Sequence, residues 1–166
     1  MRSQFDHVID ILPTILEAAG VQAPLLLNGR RQKPLEGVSM GYTFEDAKAP
    51  TRHPTQHFEM TASRAIYHDG WIASTTPARL PWETLGTAPH PDDYQWELYN
   101  LADDFSQAKN VAKDNPEKLR DMQSRFLFEA ARYNVLPLDS SFGDRMDPPY
   151  VRTFCAVRRP SLTSPA

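Results

Sequence analysis

Apolar residues along this chain gather into a few short periodic runs separated by long polar, proline-bearing stretches, and those runs set the predicted elements. Ile11, Leu12, Ile15, Leu16 and Ala19 recur at the spacing of one helix face. Asp10 stands where a cap is favoured, Pro13 falls in the first turn where its missing N–H breaks no bond, and Gly20 supplies a left-handed stop. A helix of about three turns is therefore predicted over residues 10–19. Burying its stripe is worth about 1.5–3 kcal/mol per large aliphatic side chain before entropy is subtracted, so the stripe asks for a covering surface.

Residues 20–55 carry Pro24, Pro34, Pro50 and Pro54, with Asn28-Gly29 and Glu36-Gly37 as turn signals, which predicts an extended connector. A free loop of that length is uncommon in a compact domain, so the connector is expected to run across another domain. Alternating runs then predict short strands at 56–60 and 64–67. Asp69-Gly70 is a hairpin signal leading into a strand at 71–75, with a further strand at 96–101. Together these make a small antiparallel sheet of three or four strands.

The last helix is marked at its start by Asn115 as cap, Pro116 at the first helical position and Glu117 near the positive end of the helix dipole. Leu119, Met122, Phe126, Ala130 and Tyr133 recur at three- and four-residue steps and predict a stripe, to about residue 134, that covers the sheet. A shorter helix is expected near residues 105–113. From Pro137 onward, through Asp147-Pro148-Pro149, no period is sustained and irregular chain is expected. No internal repeat is evident.

Composition narrows the class. A chain of 166 residues is the size of one domain, and its 15 prolines, about 9% against a usual ~5%, favour irregular backbone. The formal net charge of −3, with both signs interspersed, gives no basic stripe for a phosphate backbone, so nucleic acid is not expected as a partner. The single cysteine, Cys155, excludes an internal disulfide framework and a multi-thiolate zinc site and leaves the compartment unknown. Asp6, His7 and Asp10 interrupt the apolar positions of the first 20 residues, so they do not read as a signal peptide. No apolar run approaches the ~20 residues that cross a bilayer, and the chain reads as soluble with no membrane partner.

Several residues invite a chemical reading. His53 and His57 have the i, i+4 spacing of helical metal ligands, but Pro54 and strand-like neighbours speak against one helix face, and packing or surface roles are favoured. Asp92-Asp93 and Asp103-Asp104 offer oxygen ligands, yet neither pair brings the six or more that calcium takes, which favours turn and cap roles. His7 with Asp10 suggests acid–base chemistry and Ser39 or Ser63 a nucleophile, without an order of base and nucleophile. Trp71, Trp82 and Trp96 could form a carbohydrate platform, though sheet core is the commoner use of such rings. No catalytic, cofactor-binding or metal-binding residue is assigned.

Taken in order, the blocks resemble the C-terminal region of arylsulfatases, of the alkaline-phosphatase-like superfamily. His7-Val8-Ile9-Asp10-Ile11-Leu12-Pro13-Thr14 through Gly20 resembles the segment closing the large catalytic domain, and Leu35-Glu36-Gly37-Val38-Ser39 the connector after it. Arg64-Ala65-Ile66-Tyr67-His68-Asp69-Gly70-Trp71 resembles the hairpin that begins the small C-terminal sheet. The run from Gln95 to Asp104 and the run from Ala131 to Asp139 complete a match over most of residues 5–142, and Arg159-Pro160-Ser161-Leu162-Thr163 resembles a later piece.

The resemblance implies a terminal helix of the catalytic domain at 1–20, a connector at 21–54, a C-terminal subdomain at 55–136 and an irregular, truncated continuation at 137–166. The fold class is α+β, a sheet of three or four strands under a C-terminal helix, with an N-terminal helix belonging to the large α/β domain. In intact relatives it implies a calcium ion and a formylglycine, made from cysteine or serine, whose hydrated aldehyde attacks the sulfur of a sulfate ester. None of the corresponding residues finds a match here. Cys155 is followed four residues later by Arg159, as in the modification motif, but Val157 stands where that motif has proline or alanine, and no helix start comes after it to bind sulfate. The expectation is a partial arylsulfatase, inactive by itself, whose partner is the missing N-terminal sulfatase domain. The alternative is a non-catalytic module docking onto a separate sulfatase-like chain.

Overall fold

The computed structural model describes residues 3–76 and 89–138. A 3-10 turn, Val8–Asp10, leads into α1, Ile11–Ala18. Gly20 ends α1 with φ +64°, and the Val21 N–H closes back on the Leu16 carbonyl at 2.9 Å, the left-handed stop that the sequence predicts. The connector contains a two-residue hairpin, β1 (Leu26–Leu27) and β2 (Arg30–Arg31), turned by Asn28-Gly29, and one helical turn, α2 (Tyr42–Glu45).

Four strands come next as an antiparallel meander: β3 (Thr55–Met60), β4 (Ser63–His68), β5 (Trp71–Thr76) and β6 (Gln95–Asn100). Asp69 and Gly70 both take positive φ, as a tight hairpin requires. Register sets the faces: Ile66 stands opposite His57 and Ala73, and Ala73 opposite Leu98, so these share one side. That side receives α3, Pro116–Arg132, through Met122, Phe126 and Ala130, and the seven-residue core they form is completed by Ala112. The expected α+β arrangement is therefore present, with four strands under the C-terminal helix. Asn134, in left-handed conformation, stops α3 as the Val135 N–H returns to the Ala130 carbonyl at 2.8 Å.

Residues one step along each strand point the other way and meet the N-terminal segment. Phe5 stacks on Tyr67 with centroids 3.8 Å apart, and His7 meets Phe58 edge-on at 5.4 Å. Arg64 lies on the helix side, buried. Its guanidinium covers the Trp96 ring and donates to the Pro91 carbonyl, and burial pushes its pKa down from the ordinary arginine value. The Thr75 hydroxyl takes over the β4–β5 ladder at this position, accepting from the Arg64 N–H at 3.0 Å.

Two expectations are corrected. Residues 105–113 form turns, not a helix: Asp104 accepts from the Ser106 hydroxyl and the Lys109 N–H, Asn110 accepts from the Leu98 N–H, and the Val111 N–H bonds the Leu98 carbonyl. Local side-chain acceptors and the open edge of β6 prevail over an isolated helix there. Asn115 precedes α3 but donates its amide to the Val111 carbonyl at 3.1 Å and makes no side-chain cap. The α1 stripe finds no cover among the described residues: Ile11, Leu12 and Ile15 are 48%, 50% and 58% exposed, so the face still asks for a partner surface.

The β3–β4 hairpin turns on Thr61 and Ala62, both at positive φ (51° and 66°). A β-branched residue is strained there, whereas asparagine tolerates this conformation. Thr61→Asn is expected to raise stability by about 0.5–1 kcal/mol in urea unfolding; a lower midpoint would show that the threonine conformation costs nothing.

Candidate functional site

Chemistry-bearing side chains converge where the N-terminal segment crosses the start of the sheet. Asp10 is fully buried at the last residue of the 3-10 turn. Its Oδ2 accepts from the His7 N–H at 2.8 Å and faces His53 Nδ1 at 2.7 Å, while Oδ1 accepts from the Val38 N–H at 2.7 Å. Its side chain makes no cap bond to α1, which corrects the role predicted for it. Thr14, one turn on, donates to the Asp10 carbonyl at 2.6 Å and accepts from the Met40 N–H at 2.9 Å. A buried carboxylate must be paired and hydrogen-bonded, and this one gathers partners from three separate segments.

The connector must pass close for this to happen. A Cβ on Gly37 would stand 2.1 Å from the Ile9 carbonyl oxygen, so only glycine lets residues 36–38 cross there. Glu36-Gly37, read from sequence as a turn, is thus a point of backbone contact.

His53 is buried, with Nε2 3.0 Å from Gln56 Oε1. The Gln56 amide is oriented by its own donation to the His57 carbonyl at 2.7 Å. With both ring nitrogens engaged, His53 has none left to take a proton from a substrate or nucleophile. His57 lies on β3, its ring stacked on Tyr133 at 5.1 Å, so the histidine pair shares no helix face. The His7 Nδ1 is buried without a hydrogen-bond partner, and burial pushes its pKa below the ordinary histidine value. Nearby, burial followed by the Asp10 charge raises the Asp6 pKa.

The remaining candidates lie apart from this cluster. Ser39 Oγ accepts from the Gly41 N–H, Ser63 opens β4, and among the described residues neither hydroxyl is bonded to a histidine. Asp92 and Asp93 sit in the 3-10 turn Pro91–Asp93, and Asp103 accepts from the Asn100 amide. The Lys109 N–H, then the Ser106 hydroxyl, hold the Asp104 carboxyl below the usual carboxylate range. Among the described residues no three His, Cys, Asp or Glu side chains are grouped to hold a metal ion. The carboxylates of the described residues therefore do not gather into the calcium site implied by the resemblance. Trp71 and Trp96 pack against the core, with Lys118 over Trp71. Trp82, Asp139, Cys155 and Arg159 lie outside the described residues. A cleft of about 290 Å³ opens beside His53, between Glu36 and Arg52 of the connector and Glu129 and Arg132 of α3. Its charges balance, and the Tyr133 ring is in contact with both His57 and Arg132.

No protein-family model matches the chain. Over 142 residues it is 30% identical to an uncharacterized sulfatase of Schizosaccharomyces pombe, a match covering 84% of this chain and 24% of that protein. The chain is a sulfatase homologue. It spans about a quarter of the length of the curated relative it matches. Among solved structures it is similar to Ps i-CgsB, with TM-score 0.54 and 18% identity over 95% of this chain and 30% of that one. It is also similar to BT4656, solved with its substrate D-glucosamine-2-N,6-O-disulfate, with TM-score 0.53 and 15% identity over 78% of this chain and 25% of that one. These two likenesses establish the fold. Among the described residues of this sulfatase homologue, no helix is long and apolar enough to cross a membrane.

The geometry makes the Asp10 cluster a junction. Replacing Asp10 by alanine strands the His53 ring and two backbone donors, and is expected to cost about 3–5 kcal/mol in urea unfolding. A loss below about 1 kcal/mol would show that the three segments are held by something else.

Proposed function

We propose that this chain is the C-terminal portion of a sulfatase and does not hydrolyse sulfate esters by itself. It supplies the closing helix and the small sheet subdomain that support a sulfate-ester-hydrolysing domain and form part of the rim of its substrate cleft. The observation carrying this reading is the orientation of α1. Its polar side, Asp10 and Thr14, is buried against this chain, while Ile11, Leu12 and Ile15 face outward. An amphipathic helix turned this way is built to be covered from outside, and coverage of about a quarter of the matched sulfatase leaves ample chain to do so. Calcium and formylglycine belong, on this reading, to the preceding domain, and no step of ester cleavage is assigned to residues of this chain.

The same outward face supports a second reading, a non-catalytic module that docks onto a separate sulfatase-like polypeptide. The reading frame upstream separates the two. A cysteine modification motif and an acidic metal pair in frame support one sulfatase chain, and a separate partner gene supports the module.

Two measurements test the proposal. Purified chain incubated with an aromatic sulfate ester and calcium is expected to release no sulfate; release, whether or not Cys155→Ala abolishes it, would reveal a catalytic centre in this chain. Ile15→Glu is expected to change the stability of the isolated chain by no more than about 0.5 kcal/mol, because its side chain is exposed here. Unfolding by that single substitution would mean the stripe is already engaged within the chain, and the proposed seat would not exist.

A further inference from the structure

Two histidine rings meet at the Asp10 junction. On His53 both nitrogens have a partner, Asp10 Oδ2 at 2.7 Å and Gln56 Oε1 at 3.0 Å. His7 is placed differently. Its ring centroid is 6.5 Å from that of His53, it lies edge-on against Phe58, and its Nδ1 is enclosed with no acceptor in reach. The titratable groups facing it are Asp10 from its own segment, His53 from the end of the connector and His57 from β3. Both Asp10 oxygens are already committed to Val38, His53 and the His7 backbone. A proton on the His7 Nδ1 would thus sit enclosed, beside a second imidazole, with no hydrogen-bond partner.

We infer that His7 is an acid-sensitive latch: its neutral ring lets residues 3–18 dock on the β3–β4 face, and its protonation releases them while the sheet and α3 stay folded. The sign is set by where the proton is better tolerated. Burial, the largest influence, disfavours the charged ring in the docked state, and the two histidines add to it while Asp10 opposes them. The released segment therefore binds the proton more readily, and docking present above the ordinary histidine range is lost as pH falls below it. The sheet and α3 keep a core, Ile66, Ala73, Leu98, Met122 and Phe126, that contains no titrating group; His68, whose pKa burial also lowers, lies at its margin beside Asp69 and near Asp121 of α3.

Phe5 provides the reporter, since its ring stacks on Tyr67 at 3.8 Å and shifts the Tyr67 ring protons upfield. Proton NMR of the full chain, with Tyr67 assigned through Tyr67→Phe, is tracked from about pH 7.5 to about pH 5, together with far-UV circular dichroism. The expected result is movement of the Tyr67 signals toward unstacked values below about pH 6.5 with the dichroism of sheet and α3 retained, and no such movement in His7→Gln. If His7→Gln does not dock at about pH 7.5, His7→Phe, which fills the same apolar contact with Phe58, takes its place. Constant Tyr67 signals in the parent chain, loss of sheet and segment together, or the same pH response in whichever variant docks would each overturn the inference.

Discussion

A carboxylate that cannot reach water organises the N-terminal half of this molecule. Once Asp10 is buried, its oxygens must be answered by donors, and among the described residues those are the His7 and Val38 N–H groups and His53, up to 43 residues away along the chain. Meeting that demand fixes the path of the connector, because residues 36–38 must lie on the backbone of the 3-10 turn, and it fixes Gly37 as the residue that allows so close an approach. It also fixes the rotation of α1. With Asp10 and Thr14 turned inward, the aliphatic residues of a single amphipathic helix have nowhere to point but out.

The sheet subdomain obeys a different rule. Its core is one-sided and apolar, with Ile66, Ala73 and Leu98 under Met122, Phe126 and Ala130, and would be recognisable without any long-range polar contact. What joins the two halves is the second face of the same sheet, where Phe5 and His7 meet Tyr67 and Phe58. The pleat thus divides the labour: alternate residues of β3 and β4 serve the helix on one side and the N-terminal segment on the other. Arg64 is the exception, a cation on the core side kept there by the Trp96 face and a carbonyl.

What could be read from the sequence was whatever is decided locally. The Asp69-Gly70 hairpin, the Gly20 stop, the proline at the start of α3 and its apolar stripe each rest on residues within a few positions of one another, and each element stands where those residues place it. Asp10 was legible as a cap because a helical stripe begins at the next residue, but its partners lie 28 and 43 residues away, and no periodicity carries that information. Thr61-Ala62 escaped notice because neither residue advertises a left-handed turn; the register of β3 on β4 imposes it. The helix expected at 105–113 failed for a related reason, since the open edge of β6 offered Val111 and Asn110 better partners than their neighbours could. Among the candidate site residues, His53 meets Asp10 and His57 stacks on Tyr133, contacts that the i, i+4 spacing of the pair does not foretell.

The junction bears on how a sulfatase homologue of this length can be useful to a larger assembly. A lone helix of eight residues is marginal in water and would have to be ordered as it bound, at a cost set against any affinity its aliphatic face provides. Here the ordering is done in advance and from behind: Asp10 and Thr14 anchor α1 to the connector, and the connector is anchored to the sheet through His53. On the proposed reading, the polar contacts that contribute no chemistry of their own are the reason the apolar face is presented rigidly. Coupling that anchor to a histidine ring then makes presentation of the face conditional on pH, since releasing residues 3–18 removes the orientation of α1 without disturbing the core under α3.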